Sequence, residues 1–191
     1  MARSSQLESA HIARQYARNL PLFLDTETTG LANFDEIVEV CLIDHQGNVL
    51  LNSLVRPTRR IPADVIWVHG ITNEMVVDAP TWQEIWQSIE AVLRGRTVGI
   101  YNADFDLRMM RQSHLAHKLG WGGEPFRSFC IMKLYAQFYG QARGYSSAGR
   151  WQKLEQAAQQ CGLAVGATHR ALEDTLLAKG IFDTMVKAAG G

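Results

Sequence analysis

Asp25 and Glu27 stand two residues apart at the end of the short apolar run Leu22-Phe23-Leu24, and Thr28-Thr29-Gly30 follow them. On a strand, residues i and i+2 point to the same side, so the two carboxylates share a face. Two carboxylates about 4 Å apart repel by about 4 kcal/mol at an effective dielectric of 20, so such a pair needs a proton or a cation between its members. Oxygen ligands without a thiolate favour Mg2+ or Mn2+ over zinc. Spacing alone does not decide the matter. Acids fill 19 of 191 positions, so about two acid-x-acid pairs arise by chance. Two occur, the other being Asp104 and Asp106, and a solvated Asp25 beside turn-capping threonines remains the alternative.

Two more stretches carry groups of the same chemistry. Asn102-Ala-Asp-Phe-Asp106 has the form of a strand-to-helix junction, with Asn102 as helix N-cap and Asp106 falling one turn into the helix, toward the same end of a sheet. Thr168-His169-Arg-Ala-Leu-Glu-Asp174 opens the last helix, with His169 at its start. Asp174 is flanked at i−3 and i+4 by Ala171 and Ala178, small residues that leave room over its carboxylate.

These groups must be held by the elements between them. Residues 5–19 read as a Ser-capped helix with Leu7, Ile12, Tyr16 and Leu20 on one face, stopped by Pro21. The runs at 22–25, 36–43 and 49–55 read as strands, the last two joined as a hairpin through Asp44-His45-Gln46-Gly47-Asn48. Thr81 and Glu84 form a capping box for a helix in which Trp82, Ile85, Trp86, Ile89, Val92 and Leu93 recur at helical spacing until Gly95. Thr97 to Tyr101 is again strand-like and precedes a helix through Phe105, Met109 and Met110. A short strand near 126–130 leads into a helix through Leu134 and Phe138 that Gly140 ends. Gly140 to Gly149 is turn-rich, which makes it the expected mobile segment. Trp151, Leu154, Ala158 and Cys161 form a further helical stripe stopped by Gly162. The last helix starts near Thr168 and passes Leu172, Leu176, Phe182, Met185 and Val186. Strands alternating with helices after an initial hairpin predict one α/β domain: a hairpin-led mixed sheet with helices on its faces.

With 191 residues, 47% hydrophobic and 20% charged, the chain suffices for one domain with a sizeable core and is too apolar for general disorder. Its 19 basic and 19 acidic residues cancel, so any hold on phosphate is local. Residues 94–153 hold 10 Lys/Arg against 3 Asp/Glu, whereas residues 1–93 hold 6 against 12. The basic middle segment could face an anionic ligand or simply be solvated charge. Within it, Arg143, Arg150 and Lys153 lie near Tyr145 and Trp151, a combination suited to backbone charge and base stacking. Cys41, Cys130 and Cys161 match neither a zinc spacing nor a disulfide framework. No apolar stretch has the length of a signal-peptide core or a membrane span, so a soluble, cytoplasmic protein without a membrane partner is expected.

Together, Asp-x-Glu at the first strand, Asn-x-x-Phe-Asp at a later strand-to-helix junction and His-x4-Asp at the last helix closely resemble the DEDDh exonucleases, the DnaQ-like branch of the ribonuclease-H-like fold. Ile66-Trp-Val-His69-Gly70-Ile71-Thr72 is similar to the His-Gly-Ile-Thr loop of its members. The resemblance spans residues 25–174 and implies a ribonuclease-H-like mixed β-sheet, antiparallel first and then parallel, flanked by α-helices. Residues 21–191 would form the single exonuclease domain and residues 1–20 an N-terminal helical extension. It also implies two divalent ions, Mg2+ or Mn2+. Asp25, Glu27 and Asp174 would hold the first, Asp25 and Asp106 would help hold the second, and His169 would be the general base. Asp104 receives no role. Thr26, Thr28, His69, Asn102 and Phe105 would contact the nucleotide, with Leu31 as an apolar wedge. The implied activity is 3′→5′ hydrolysis at a single-stranded or frayed nucleic acid 3′ end, DNA rather than RNA, releasing nucleoside monophosphates.

The sequence departs from that pattern in places. Tyr101 stands where many relatives carry His before the motif Asn. The chain ends at Lys187-Ala-Ala-Gly-Gly191, shortly after the last helix, without the tail of a polymerase-bound proofreading subunit or a clamp-binding peptide. A free-standing enzyme is therefore expected, with a homodimer left open. Two other readings stand beside it: an RNA-trimming exonuclease using the same centre, and a binding or accessory module that kept the fold and lost turnover. The intact set Asp25, Glu27, Asp106, His169 and Asp174 speaks against the second.

Overall fold

The computed structural model describes residues 2–142, 151–166 and 169–190. Among them, five strands form one mixed sheet in the order β3-β2-β1-β4-β5. β1 (Leu22–Thr28) pairs antiparallel with β2 (Ile37–Ile43), and β2 with β3 (Val49–Leu54). β4 (Thr97–Ile100) runs parallel to β1, and β5 (Arg127–Cys130) parallel to β4. Among the described residues, seven helices flank the sheet: α1 (Ala2–Ala17), α2 (Ala63–His69), α3 (Trp82–Leu93), α4 (Ala103–Ala116), α5 (Ile131–Ala142), α6 (Leu154–Gln160) and α7 (Ala171–Ala188). The hairpin-led mixed sheet expected from the sequence is the one that forms.

β1 lies in the middle, so its alternating side chains enter two cores. Leu22 and Leu24, with Val40, Leu42, Val98 and Ile100, pack under Trp82, Ile89, Leu93, Met109 and Met110 of α3 and α4. Phe23, with Cys41, Ile43 and Phe129, packs under Ala10 and Ala13 of α1, Tyr135 of α5 and Phe182 and Met185 of α7. Thr81 and Glu84 close the capping box at the start of α3 as the sequence predicts.

Several local expectations need correction. Ala10 and Ala13 are the fully buried hydrophobics of α1, with the expected Ile12 and Tyr16 packed partly against the same core, while Leu7 and Leu20 are exposed. Small residues let α1 lie close against α5 and α7. α5 continues through Gly140 to Ala142; one glycine costs a helix about 1 kcal/mol, less than the burial of Leu134, Tyr135 and Phe138 contributes. Trp151 precedes α6 and is 64% exposed; of the rest of its expected stripe, Ala158 is buried together with Ala157, and Leu154 and Cys161 pack partly against the same core. α7 begins at Ala171 with Arg170 as its N-cap, and Leu176 faces outward. α2 has seven residues, two turns at most, too short to declare a period in the sequence. Arg143, Tyr145, Arg150 and Thr168 lie outside the described residues, as does most of the Gly140–Gly149 stretch. No helix among the described residues is long and apolar enough to cross a membrane.

Gly99 of β4 sits where two rings close over the sheet. A Cβ there would lie 2.7 Å from Phe129 Cζ and 3.1 Å from Phe23. Gly99→Ala should therefore cost about 1–3 kcal/mol by overpacking, measured as a lower midpoint in urea unfolding; an unchanged or raised midpoint contradicts this packing.

Candidate active site

Alternation along β1 sends Asp25 and Glu27 toward α7, and Thr26 and Thr28 toward α4. On the first side Asp174, in the first turn of α7, completes a group: one oxygen from each of Asp25, Glu27 and Asp174 lies within 4.8 Å of the other two. On the second side Asp106, in the first turn of α4, accepts from Thr26 Oγ1 at 2.8 Å. Asp106 is also the strongest charged neighbour of Asp25, so the four acids converge from both faces of the sheet. They meet at the carboxyl ends of the parallel pair β1 and β4, where open α/β sheets place their crevices. The β1–β2 register shifts between Glu27 and Thr28, an irregularity of the kind that re-aims side chains beside active sites.

Sequence reasoning missed a clasp behind this group. Glu39 of β2 pairs in register with Glu27 and is buried. Its carboxylate accepts from Arg170 Nε at 3.0 Å and from the Ala171 backbone N–H at 2.9 Å. The clasp fixes the start of α7 to the sheet, satisfies a helix-end donor and neutralises a fifth acid. A charge inside the otherwise apolar strand Ile37-Val-Glu-Val-Cys-Leu-Ile was the available signal. Ala171 and Ala178 do not open space over Asp174, because both are fully buried against the sheet. The hollow there is lined instead by Glu155, Val165, Gly166, His169, Asp174 and Leu177. His169 precedes α7 by two residues rather than opening it. Its Nδ1 lies 3.3 Å from Asp174 Oδ2 and its Nε2 3.3 Å from Glu155 Oε1 of α6.

Burial and mutual repulsion hold these acids toward their protonated forms. Burial raises Asp25 well above the ordinary carboxylate range, and Asp106, Glu27, Asp174 and Glu39 add to it. Glu27 is pushed up to about 8 by burial and then by Asp174, Glu39 and Asp106, with Arg170 opposing. Burial raises Asp106 against the hydrogen bond from Thr26, and raises Asp174 against its bond with His169. Oxygen donors alone, crowded and short of positive charge, fit a hard divalent cation and do not fit a thiolate-preferring metal.

Beside the acids runs a cleft of about 620 Å³ whose lining includes Thr26, Thr28, Leu31, His69 and Phe105. The threonine hydroxyls face inward to protein partners, Thr26 to Asp106 and Thr28 Oγ1 to the Gly30 carbonyl at 2.8 Å. His69 is buried, and Ile71 N–H donates to its Nδ1 at 3.0 Å, which leaves Nε2 to donate to the Thr28 carbonyl at 3.2 Å. Burial lowers its pKa. Gly70, at φ 72°, makes the left-handed turn after α2 that precedes Ile71. Gly30 has a φ of 153°, and a Cβ there would lie 2.6 Å from Asp35 Oδ2. Asp35 gathers Thr29 Oγ1 and the Ala32 N–H, while Gln112 of α4 donates to the Ala32 and Asp35 carbonyls. That closed loop carries Leu31, 77% exposed, at the cleft. Phe105 is only partly buried, with Arg108 over its ring.

Asn102 does not line this cleft and makes no side-chain cap bond. It borders a separate hollow of about 360 Å³ with Tyr101, Met132, Trp151, Lys153 and Glu155. The Tyr101 hydroxyl donates to the Gln152 carbonyl at 3.0 Å, tying the end of β4 to the approach to α6. Asp104 is exposed and pairs with Lys133 at 2.6 Å, away from the acid group.

Comparison with known proteins bears on this geometry. A family model described as Exonuclease matches residues 22–182. Exonuclease CP81 of Escherichia phage 186 is 42% identical over 180 residues, which cover 92% of this chain and 92% of that protein. DNA polymerase III subunit epsilon of Treponema pallidum is 32% identical over 174 residues, covering 85% of this chain and 74% of the relative. Among solved structures, Exonuclease X in complex with 5′ overhanging duplex DNA superposes with a TM-score of 0.66 at 26% identity, covering 90% and 94% of the two chains. The nuclease domain of 3′hExo, a DEDDh family member bound to rAMP, superposes at 0.69 with 18% identity over 89% and 92%, a likeness of fold. With the match running through nearly the whole sheet and its helices, the chain belongs to the exonuclease family.

Proposed function

We propose that the protein is a 3′→5′ exonuclease acting on DNA, removing nucleoside monophosphates from a single-stranded or frayed end with two Mg2+ or Mn2+ ions in its site. The observation that carries this is the convergence of Asp25, Glu27 and Asp174 within 4.8 Å of one another, beside Asp106 and His169 and against a cleft of about 620 Å³. Asp25, Glu27 and Asp174 would hold one ion, and Asp25 and Asp106 would help hold the other. Bound there, divalent cations supply charge stabilisation for the attacking and leaving oxygens of an in-line displacement.

The protein's own groups do the rest. Thr26 holds Asp106 by its hydroxyl, and the Glu39–Arg170 clasp holds the start of α7. His169, with Glu155 against Nε2, takes the proton of the attacking water as the water oxygen bonds phosphorus and the P–O3′ bond breaks, and the departing 3′ oxygen takes a proton from solvent. Leu31, Phe105 and the wall formed by Thr28 and His69 enclose the terminal nucleoside. Asn102, outside that lining, would contact the strand from the neighbouring hollow. Residues 21–191 would constitute the nuclease unit, with residues 1–20 as a helical extension, working in the cytoplasm. RNA trimming is the second reading, supported by the rAMP-bound neighbour at 18% identity; DNA is favoured by the epsilon relative and by Exonuclease X at higher identity.

Digestion of matched 5′-labelled DNA and RNA strands tests this. A ladder shortening from the 3′ end in Mg2+, absent with Asp25→Ala, is expected; shortening from the 5′ end, or none, refutes it. His169→Ala should lower single-turnover cleavage by about 10²–10⁴-fold with cation affinity kept, and undiminished cleavage would remove His169 from the mechanism. A second test follows from Glu27, which stands at about 8 in the folded chain against an ordinary 4.5. Below the lower value both folded and unfolded chains carry the proton; between the two only the folded chain does, so stability falls as pH rises through that window. In EDTA, Tm should decline from about pH 5 to about pH 8, and Mn2+ should offset the decline by binding the ionised set. A Tm that climbs with pH in EDTA contradicts the burial of these acids.

A further inference from the structure

A phosphodiester held at the acid group has a nucleoside on each side of it, the one released and the one left at the new 3′ end, and the cleft houses only the first. Two hollows border the acids. The cleft reaches them through Thr26 and Glu27. The hollow of about 360 Å³ reaches them through Glu155, which faces His169 Nε2 at 3.3 Å, and His169 in turn faces Asp174. The two linings share no residue, yet they meet at the start of α4, where Asn102 borders the hollow, Phe105 borders the cleft and Asp106 comes next in the chain. The exposed Arg56, Arg59 and Arg60 adjoin the cleft instead, the Arg59 guanidinium lying over Phe34 of its lining. The hollow beyond Glu155 is therefore the space on the other side of a phosphate seated at the acids.

Its walls have the parts a nucleotide needs. Tyr101 and Met132 line it from the core, both buried. Trp151, 64% exposed, makes no ring contact among the described residues. Lys153 is exposed and, among the described residues, forms no ion pair with a carboxylate. The backbone that carries both is held, because the Tyr101 hydroxyl donates to the carbonyl of Gln152 between them at 3.0 Å. An open aromatic face beside an unneutralised cation is how proteins hold single strands, with a base on the ring and a phosphate on the charge. We propose that this hollow receives the nucleoside left behind, the penultimate one of the strand, with its base stacked on Trp151 and the phosphate on its 5′ side at Lys153. The inference rests on the nuclease reading above, and it makes the second base of the strand, and not the last alone, a determinant of binding.

The test crosses changes in the protein with changes in the strand. The unaltered chain, Trp151→Ala, Trp151→Phe and Lys153→Gln are each offered a 5′-labelled DNA single strand that is intact, abasic at the penultimate position or abasic at the 5′ end. Affinity is read across a salt series in Ca2+, and cleavage separately in Mg2+. Trp151→Ala should weaken binding of the intact strand by about 5- to 100-fold, the range of one base stacked on an aromatic ring, and Trp151→Phe should recover most of that loss. The strand lacking its penultimate base should bind the unaltered chain about as weakly as the intact strand binds Trp151→Ala, and should lose little more in that variant. The strand abasic at its 5′ end should behave as the intact one. Lys153→Gln should make the log–log salt slope shallower by about 0.7, one phosphate contact on a single strand. Losses that simply add, coupling of Trp151 to the 5′ end, or an intact-strand affinity that Trp151→Ala leaves unchanged would each overturn the proposal. Because binding is measured apart from cleavage, failure of the unaltered chain to shorten any strand counts against the nuclease reading alone, and the affinities still decide what the hollow holds.

Discussion

Mutual repulsion among carboxylates is the constraint around which this molecule is arranged. Asp25, Glu27 and Asp174 bring oxygens within 4.8 Å of one another, with Asp106 alongside. Each such pair costs about 4 kcal/mol at an effective dielectric of 20 if both members are ionised, and more as water is excluded. A protein selected only for stability would disperse them. Here the sheet and two helices, α4 and α7, hold them together, and burial raises their affinity for protons until positive charge arrives. The same crowding that raises their proton affinity makes the group a receptor for divalent cations, because two positive charges discharge several repulsions at once.

Holding like charges in place requires rigid attachment, and the fold supplies it from both faces of one strand. β1 is buried on both sides, so its odd and even residues are locked by separate cores. Its register presents two acids to α7 and two threonines to α4. Thr26 then fixes Asp106 by a hydrogen bond, and the Glu39–Arg170 clasp fixes the helix that carries Asp174. Glu39 illustrates how the surroundings are balanced: its negative charge raises its neighbours, and Arg170 offsets it for Glu27. The loop 29–36, closed around Asp35 by Thr29 and Gln112, turns the same strand end into the wall of the cleft.

The parts of this arrangement that rest on short-range pattern were legible in the sequence. Strand alternation placed Asp25 and Glu27 on one side, the capping box at Thr81 started α3, and a hairpin-led mixed sheet followed from a hairpin succeeded by strand–helix repeats. What long-range packing decides was not legible. Ala171 and Ala178 look like space left beside Asp174 when the helix is viewed alone, yet the sheet fills it. Leu7 and Leu20 outrank Ala10 and Ala13 in hydrophobicity, but α1 approaches α5 and α7 closely and selects the small residues. Asn102, a good N-cap by type, caps nothing with its side chain. Arg56, Arg59 and Arg60 escaped attention because they sit in an acidic stretch, whereas counting along the chain favoured the basic middle segment. Charge along a sequence is not charge on a surface, and only the fold sets Arg59 against Phe34.

The central claim is that burial and crowding raise the proton affinity of these acids, so that a cation displaces protons when it binds. Calorimetric titration with Mn2+ at about pH 7, repeated in two buffers of different ionisation heat, measures it most directly, since the difference gives the protons exchanged per ion bound. The account predicts saturable binding accompanied by net proton release, both lost or strongly reduced in Asp25→Asn. Absence of saturable binding, or binding that releases no protons, would contradict it.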